Sequence, residues 1–171
     1  AIPTSIEIDE QVDPELPHVL ADATQIHQVV MNLAANAAAA MAGGPGRLLV
    51  GCSQVELDDA AAADAGLSAG RYVRLLIEDS GCGMEPEVLD RIFDPFFTTK
   101  GPGEGTGLGL SVVHGIVKAH AGAILVDSRV GEGTAFGVFI ANKLPENVFD
   151  LATLQVNNGG SYSAGAKSIF W

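Results

Sequence analysis

Basic residues are scarce in this chain, which has 9 Lys and Arg residues against 21 Asp and Glu residues and a formal net charge of −12 at pH 7. A surface this acidic repels phosphate backbones and anionic lipid headgroups. Neither nucleic acid nor a membrane surface is therefore expected as a partner. The same charge is unfavourable for a polyphosphate ligand. A site for such a ligand would need local backbone donors and a metal ion in place of a general positive field.

Cysteines and long apolar runs are also scarce. Cys52 and Cys82 are the two cysteines and lie far apart, which indicates reduced thiols in a cytosolic protein rather than a disulfide framework. Asn32 and Asn36 break the longest apolar runs, so none reaches the roughly 18–20 residues that span a bilayer. The first residues are acidic where a signal peptide would be basic. We therefore expect a cytoplasmic domain of a longer protein.

Glycine, in contrast, is concentrated in Gly101-Pro-Gly-Glu-Gly-Thr-Gly-Leu-Gly-Leu-Ser111, which has five glycines in eleven residues. Apolar residues at helical spacing follow, so the stretch leads into a helix N-terminus. Free N–H groups of a glycine turn and of a first helical turn together form a site for anions, usually phosphate. The stretch lacks the Gly-Lys-Ser/Thr ending of a P-loop and the preceding strand of a dinucleotide fingerprint. A flexible loop without a ligand is the plainer alternative.

The periodicity predicts strands over residues 5–12, 47–57, 71–79, 123–128 and 134–141, and helices over residues 22–41, 86–92 and 108–121. The acidic, alanine-rich residues 58–70 are predicted as the tip of a long hairpin. Hairpin-linked strands mixed with helices favour an α+β fold, a two-layer α/β sandwich. Its sheet is expected to be mixed but mostly antiparallel, with about three helices on one face.

The predicted domain covers residues 1–147. Residues 148–171 are predicted as a polar, glycine-rich tail of unknown role. It is interpreted as loosely ordered or added for expression, and the alternative is that Phe170 and Trp171 dock on the domain or on a neighbour.

The helix over residues 22–41 has two distinct rows of side chains. Its buried stripe is predicted to consist of Ile26, Val30, Leu33, Ala37 and Met41. Gln28, Asn32 and Asn36 follow one another at four-residue spacing on a different face. Asparagine is a poor interior helix residue, so Asn36 could serve as an oxygen ligand of Mg²⁺. An exposed polar face is the plainer alternative.

The stretch Glu78-Asp-Ser-Gly-Cys-Gly-Met84 lies at a predicted strand end. Asp79 could accept a hydrogen bond from an exocyclic amine, and Gly81 and Gly83 would leave room for a flat ring. A simple turn after a strand is the plainer alternative.

Five motifs occur together in a fixed order. They resemble the N, G1, F, G2 and G3 boxes of the catalytic ATP-binding domain of sensor histidine kinases, a domain of the GHKL superfamily with the Bergerat fold. The resemblance covers about residues 5–145. The residues of the motifs are most similar to those of the nitrogen-regulatory and PAS-linked branch. The motifs are Asn32-Leu-Ala-Ala-Asn-Ala37, Asp79-Ser-Gly-Cys-Gly83, Phe93-Asp-Pro-Phe-Phe-Thr-Thr-Lys100, Gly105-Thr-Gly-Leu-Gly-Leu110 and Gly131-Glu-Gly-Thr134.

The resemblance implies binding of ATP with Mg²⁺. Asp79 would recognise the adenine amino group, Thr134 would assist through water, and Gly81 and Gly83 would line the base pocket. Phe93, Phe96 and Phe97 would anchor a mobile lid over residues 98–105.

The resemblance also assigns the phosphate end. Asn36 would coordinate Mg²⁺, Asn32 would lie beside the triphosphate, and Lys100 would reach the phosphates, so these three are the candidate catalytic residues. The other expected ATP contacts are Thr99, Gly105, Thr106, Gly107, Leu108, Gly109 and Leu110.

The implied activity is that of a bacterial protein-histidine kinase. Hydrolysing members such as gyrase and the heat-shock chaperones carry a glutamate where Asn32 stands, and asparagine is not a general base. None of the chain's histidines is followed by an acidic residue as family acceptors are. The resemblance therefore implies transfer to a histidine on a separate dimerisation and phosphoacceptor domain, with a response regulator downstream. These histidines are His18, His27, His114 and His120.

Three alternatives remain at this point: an ATPase, a serine kinase of the anti-sigma type, and a nucleotide-sensing interaction module without transfer activity. Asn32 disfavours an ATPase, and the motif Phe-Phe-Thr-Thr-Lys disfavours a serine kinase. The domain by itself is expected to be a monomer that does not autophosphorylate.

Overall fold

The computed structural model describes residues 2–101 and 105–142, together with the backbone of residues 169 and 170. The strands are β1 (Ile6–Val12), β2 (Val19–Leu20), β3 (Gly46–Leu57), β4 (Gly70–Asp79), β5 (Ala123–Arg129), β6 (Gly133–Ala141) and β7 (Ile169–Phe170). The helices are α1 (Ala23–Ala40), α2 (Asp59–Asp64), α3 (Pro86–Leu89) and α4 (Gly109–Ala119).

The main sheet has five strands in the order β1-β3-β4-β6-β5. Strand β1 runs parallel to β3, and the other three neighbouring pairs are antiparallel. The predicted α+β fold with a mixed, mostly antiparallel sheet is therefore confirmed.

The prediction of about three helices differs from the four helices among the described residues. The additional helix is α2, in the segment predicted as a hairpin tip. The Asp58 carboxylate accepts a hydrogen bond from the Ala61 N–H and caps the helix, and four of the six residues of α2 are alanine. A side-chain cap followed by the strongest helix former is sufficient for a short helix here.

The core lies between the sheet and the helix pair α1–α4. Leu33, Leu48, Ile77, Val113 and Val138 are almost completely buried there. The predicted stripe on α1 is partly wrong, because the structure buries Val29 and Ala34 and leaves Val30 half-exposed. The helix faces both β4 and α4, so its buried surface is wider than a single i+4 row.

A histidine joins the beginning of α1 to the end of α4. The Asp22 carboxylate caps α1 by accepting from the Thr24 and Gln25 N–H groups. The Asp22 N–H donates to Nε2 of His120 at 3.1 Å, and Nδ1 of His120 lies 2.9 Å from the Ile116 carbonyl. His120 therefore bridges the two helices through both nitrogens of its ring.

The last described residues pair with the chain near its beginning. Strand β7 runs antiparallel to β2, with Val19 opposite Phe170 and Leu20 opposite Ile169. The rest of the predicted tail over residues 148–171 lies outside the described residues. No helix in the described part of the chain is both long and apolar enough to cross a membrane.

Candidate functional site

A cavity of about 470 Å³ opens between α1, the end of β4, the segment around α3, the beginning of α4 and the first residues of β6. A volume of this size is within the range of small-molecule sites. Most of the residues predicted from the sequence line it. These are Asn32, Asn36, Asp79, Gly83, Thr99, Lys100, Gly105, Thr106, Gly107, Gly109, Leu110 and Thr134.

Asp79 is the buried acceptor of the cavity. It is the last residue of β4, lies opposite Thr134 of β6, and is only 5% exposed. Burial raises the pKa of its carboxyl above the ordinary value of 3.8, while hydrogen bonds from the Gly81 and Thr134 N–H groups oppose the rise. Its Oδ1 accepts from the Gly81 N–H at 2.8 Å. The carboxylate is therefore held in one orientation and can accept a further donor from a ligand.

The loop after Asp79 is packed from two sides. On one side, a Cβ at Gly81 would lie 2.6 Å from Oδ1 of Asp79 and 2.8 Å from the Ala40 carbonyl oxygen. The Ala40 carbonyl also accepts from the Cys82 N–H at 3.1 Å. Gly81 accordingly lies behind the Asp79 carboxylate and does not line the cavity, in contrast to the prediction.

On the other side, the loop contacts the turn between β5 and β6. Gly83 has a φ of +67°, and a Cβ there would overlap the carbonyl group of Arg129. The Gly131 N–H donates to the Cys82 carbonyl at 2.8 Å. Because glycine has no side chain, the backbone of this loop can contact the backbone of the β5–β6 turn. This contact fixes the wall of the cavity next to Asp79.

The beginning of α4 faces the two asparagines of α1. A Cβ at Gly109 would lie 3.6 Å from Oδ1 of Asn32 and 4.0 Å from Nδ2 of Asn36. Leu108 is the N-cap residue, and its side chain makes no capping hydrogen bond. The first-turn N–H groups of α4 are therefore available to an anion beside the amides. The Leu108 side chain itself does not line the cavity.

Lys100 supplies positive charge to the cavity. It is the one lysine or arginine among the described lining residues. The stem of Lys100 is also near the glycine segment, since a Cβ at Gly105 would lie 3.2 Å from its Cδ.

An apolar wall near Asp79 was not predicted from the sequence. Met84, Val88, Ile92, Phe97 and Phe136 line this part of the cavity. They come from residues 84–92, from Phe97 and from β6, and no local spacing signals that these three parts of the chain meet. A helical pattern over residues 84–92 is the one feature that could have indicated them.

The three phenylalanines predicted to anchor the lid behave differently from one another. Phe93 stacks on His114 with ring centroids 5.1 Å apart, and Phe97 lies under the guanidinium of Arg91 at 4.4 Å. Phe96 is 75% exposed and has a φ of +68°. Phe96 has no aromatic or cation contact of this kind among the described residues, and its role in anchoring the lid stays a prediction.

In residues 2–101 and 105–142, no group of three His, Cys, Asp or Glu side chains could hold a metal ion. A cation in the cavity would therefore depend on Asn36, on water and on oxygens of the ligand. This donor set suits Mg²⁺, which keeps several waters and binds together with substrate phosphates.

Comparison with known proteins identifies the family. The model for histidine kinase-, DNA gyrase B-, and HSP90-like ATPases matches residues 21–145, more than half of the chain. The chain belongs to this family of ATP-binding domains, as the ordered motifs indicate.

The similar curated proteins are sensor kinases. Sensor kinase CckA of Brucella abortus is 42% identical over 146 residues, which are 85% of this chain and 15% of that protein. Sensor histidine kinase ZraS of Escherichia coli K12 is 38% identical over 143 residues, which are 84% of this chain and 26% of that protein. The chain thus spans about a quarter or less of the length of these two relatives.

Solved structures that share the fold include a sensor histidine kinase. The mycobacterial sensor histidine kinase MprB has a TM-score of 0.63 at 28% identity, over 80% of this chain and 82% of that one. Full-length ShkA, solved in complex with AMPPNP, has a TM-score of 0.61 at 32% identity, over 79% of this chain and 25% of that one.

Proposed function

We propose that this chain binds ATP with Mg²⁺ and transfers the γ-phosphate to a histidine on a separate dimerisation and phosphoacceptor domain. The observation that carries the proposal is the arrangement of the cavity. A buried carboxylate acceptor lies at one end, and an uncapped helix N-terminus beside two asparagines lies at the other. A nucleotide has the matching order of groups, an amine-bearing base followed by phosphates.

The base end suits adenine. Asp79 accepts a hydrogen bond from the 6-amino group, and the apolar wall of Met84, Val88, Ile92 and Phe136 covers the ring. Gly83 leaves room beside it. A base with an oxo group at position 6 is disfavoured. Its O6 oxygen and the Asp79 carboxylate are both hydrogen-bond acceptors, so neither supplies a donor to the other.

The phosphate end relies on backbone and amide groups. The N–H groups of Gly105, Thr106 and Gly107 and those of the first turn of α4 donate to the phosphate oxygens, and Lys100 adds a positive charge. Asn36 would offer an oxygen to Mg²⁺, whose charge would reduce the repulsion between the phosphates and a chain of net charge −12. Asn32 positions the phosphate chain from the neighbouring turn of α1.

Transfer is favoured over hydrolysis because the described residues that line the phosphate end include no general base. Asp79 is the one carboxylate among the described lining residues. It lies at the base end, where it accepts a hydrogen bond from the Gly81 N–H. Asn32 cannot take a proton from water. Catalysis then consists of positioning the triphosphate and stabilising its charge, with the nucleophile brought from elsewhere.

The chain's own histidines are not placed for this role. His114 is stacked on Phe93 and His120 bridges the two helices, and neither lines the cavity. His27 is exposed on the outer side of α1. The similar proteins are longer sensor kinases, which supports an acceptor domain in the same parent protein and a response regulator as the next acceptor.

The transfer experiment uses radiolabelled ATP and Mg²⁺. The chain alone is expected to remain unlabelled. Addition of the dimerisation and phosphoacceptor domain of the Brucella sensor kinase should give label on that domain, and its acceptor His→Gln variant should give none. Label on His27 or His114, or rapid phosphate release without label, would contradict the proposal.

A further inference from the structure

Three side chains at three-residue spacing form a stack beside the cavity wall. The Arg91 guanidinium lies over the ring of Phe97, 4.4 Å from its centroid, and Nε of Arg91 is 3.4 Å from Oδ2 of Asp94. The backbone has the same spacing. The Asp94 N–H donates to the Arg91 carbonyl at 2.9 Å, and the Phe97 N–H donates to the Asp94 carbonyl at 3.2 Å. Two consecutive turns therefore bring the three side chains together.

Phe97 is the member of the stack that belongs to the cavity. Its side chain lines the cavity, whereas Arg91 and Asp94 are exposed and do not line it. A guanidinium within about 6 Å of a ring centroid is attracted by the electrons of the ring face. Arg91 therefore holds, from the solvent side, a ring that forms part of the cavity wall. It can act on a ligand only through that ring.

The position of Phe97 matters because the chain continues from it into the segment that carries the lysine of the cavity. Thr98, Thr99 and Lys100 follow directly, and all three line the cavity. The Lys100 N–H donates to Oγ1 of Thr98 at 3.1 Å, which ties the end of this segment to its beginning. A ring that moved away from the wall would open the cavity and displace the start of the segment.

We propose that Arg91 is a positioning residue of the nucleotide site. Its guanidinium stacks on Phe97, keeps the ring in the cavity wall and fixes the start of the segment that carries Lys100. This inference rests on the proposed function and adds to the site a residue that does not touch the ligand. Because the charge over the ring is what acts, another cation can replace Arg91 in large part, and an apolar side chain of similar length cannot.

The stack itself is tested by NMR without nucleotide. In the wild-type chain, the ring current of Phe97 is expected to shift the δ and ε protons of Arg91 upfield. Phe97→Leu should return these protons to the usual positions for arginine. Unshifted Arg91 protons in the wild type would overturn the inference, whether or not the chain binds ATP.

The effect on the site is tested by calorimetry with ATP and Mg²⁺. Arg91→Met keeps the length of the side chain and removes its charge, and it should weaken binding about threefold to fivefold, the value of one exposed cation–π contact. Arg91→Lys should stay within about twofold of the wild type. Arg71→Met is the control, because it removes the same charge at the end of β4 opposite Asp79 and should also stay within about twofold.

A Phe97→Leu background separates positioning from a direct effect of the charge on the phosphates. Leucine keeps an apolar side chain in the wall and removes the aromatic face. Adding Arg91→Met to Phe97→Leu should cause no further loss of affinity. An equal loss in both backgrounds, or wild-type affinity in Arg91→Met, would overturn the inference. A wild type that shows the shifted Arg91 protons and does not bind ATP would instead refute the proposed function.

Discussion

Asp79→Asn is expected to lower ATP affinity by about 100-fold or more while the domain remains folded. The Asp79 carboxylate already accepts from the Gly81 N–H at 2.8 Å, and the adenine amine would be a further donor. An amide has one oxygen, so its NH₂ group must face one of these donors. The loss combines a hydrogen bond to a charged group, about 1.5–3 kcal/mol, with a donor left unsatisfied, about 1–3 kcal/mol.

Glu78→Gln is the matched control for this variant. Glu78 precedes Asp79 on β4, is exposed, and loses the same charge when it is replaced by an amide. Its ATP affinity should stay within about twofold of the wild type. Calorimetry in Mg²⁺ measures both variants, and thermal unfolding shows that each is folded. ATP binding by Asp79→Asn at the wild-type level would mean that the base lies elsewhere.

Gly83→Ala is expected to destabilise the domain by about 3–5 kcal/mol and to weaken ATP binding at least tenfold. Alanine at a φ of +67° is strained by roughly 1–2 kcal/mol. Its methyl group would also overlap the Arg129 carbonyl, so the loop and the β5–β6 turn would have to separate. Such overpacking is among the changes that produce large losses of stability. The displaced loop carries Met84 and adjoins Asp79, so the base end of the cavity is lost with it.

Gly131→Ala isolates the contribution of the overlap. Gly131 has a similar φ of +78° and is hydrogen-bonded to the same loop, but a Cβ there has no neighbour within 4 Å. It should cost only the backbone strain, roughly 1–2 kcal/mol, with ATP affinity nearly unchanged. Equilibrium urea unfolding compares the two variants. Equal losses of stability would show that Gly83 is not held against Arg129.

Much of the fold could be predicted from local sequence signals. Asp22 caps α1, the Gly43–Gly46 stretch follows its end, and apolar and polar residues alternate along β1. The errors arise where tertiary contacts decide. Val29 is buried in place of Val30 because α1 faces two neighbours, and α2 forms because one side chain, Asp58, caps a short alanine run.

The candidate site was predictable where its residues lie in ordered motifs, and much less so elsewhere. Asn36, Asp79 and the glycine segment have distinctive spacing, and the cavity brings them together. Phe136 has no such signal, because nothing in the neighbouring sequence shows that the fold places it in the cavity wall. The position of Gly81 behind the carboxylate likewise depends on where Ala40 ends α1.

The most direct test of the central claim is calorimetry of ATP binding to the wild-type chain, with Mg²⁺ and with EDTA in its place. The account predicts binding that Mg²⁺ strengthens, and a smaller Mg²⁺ effect in Asn36→Ala. Gln28→Ala, two turns earlier on α1 and exposed, should behave as the wild type. Absence of ATP binding in Mg²⁺, or a Mg²⁺ effect that Asn36→Ala leaves intact, would contradict it.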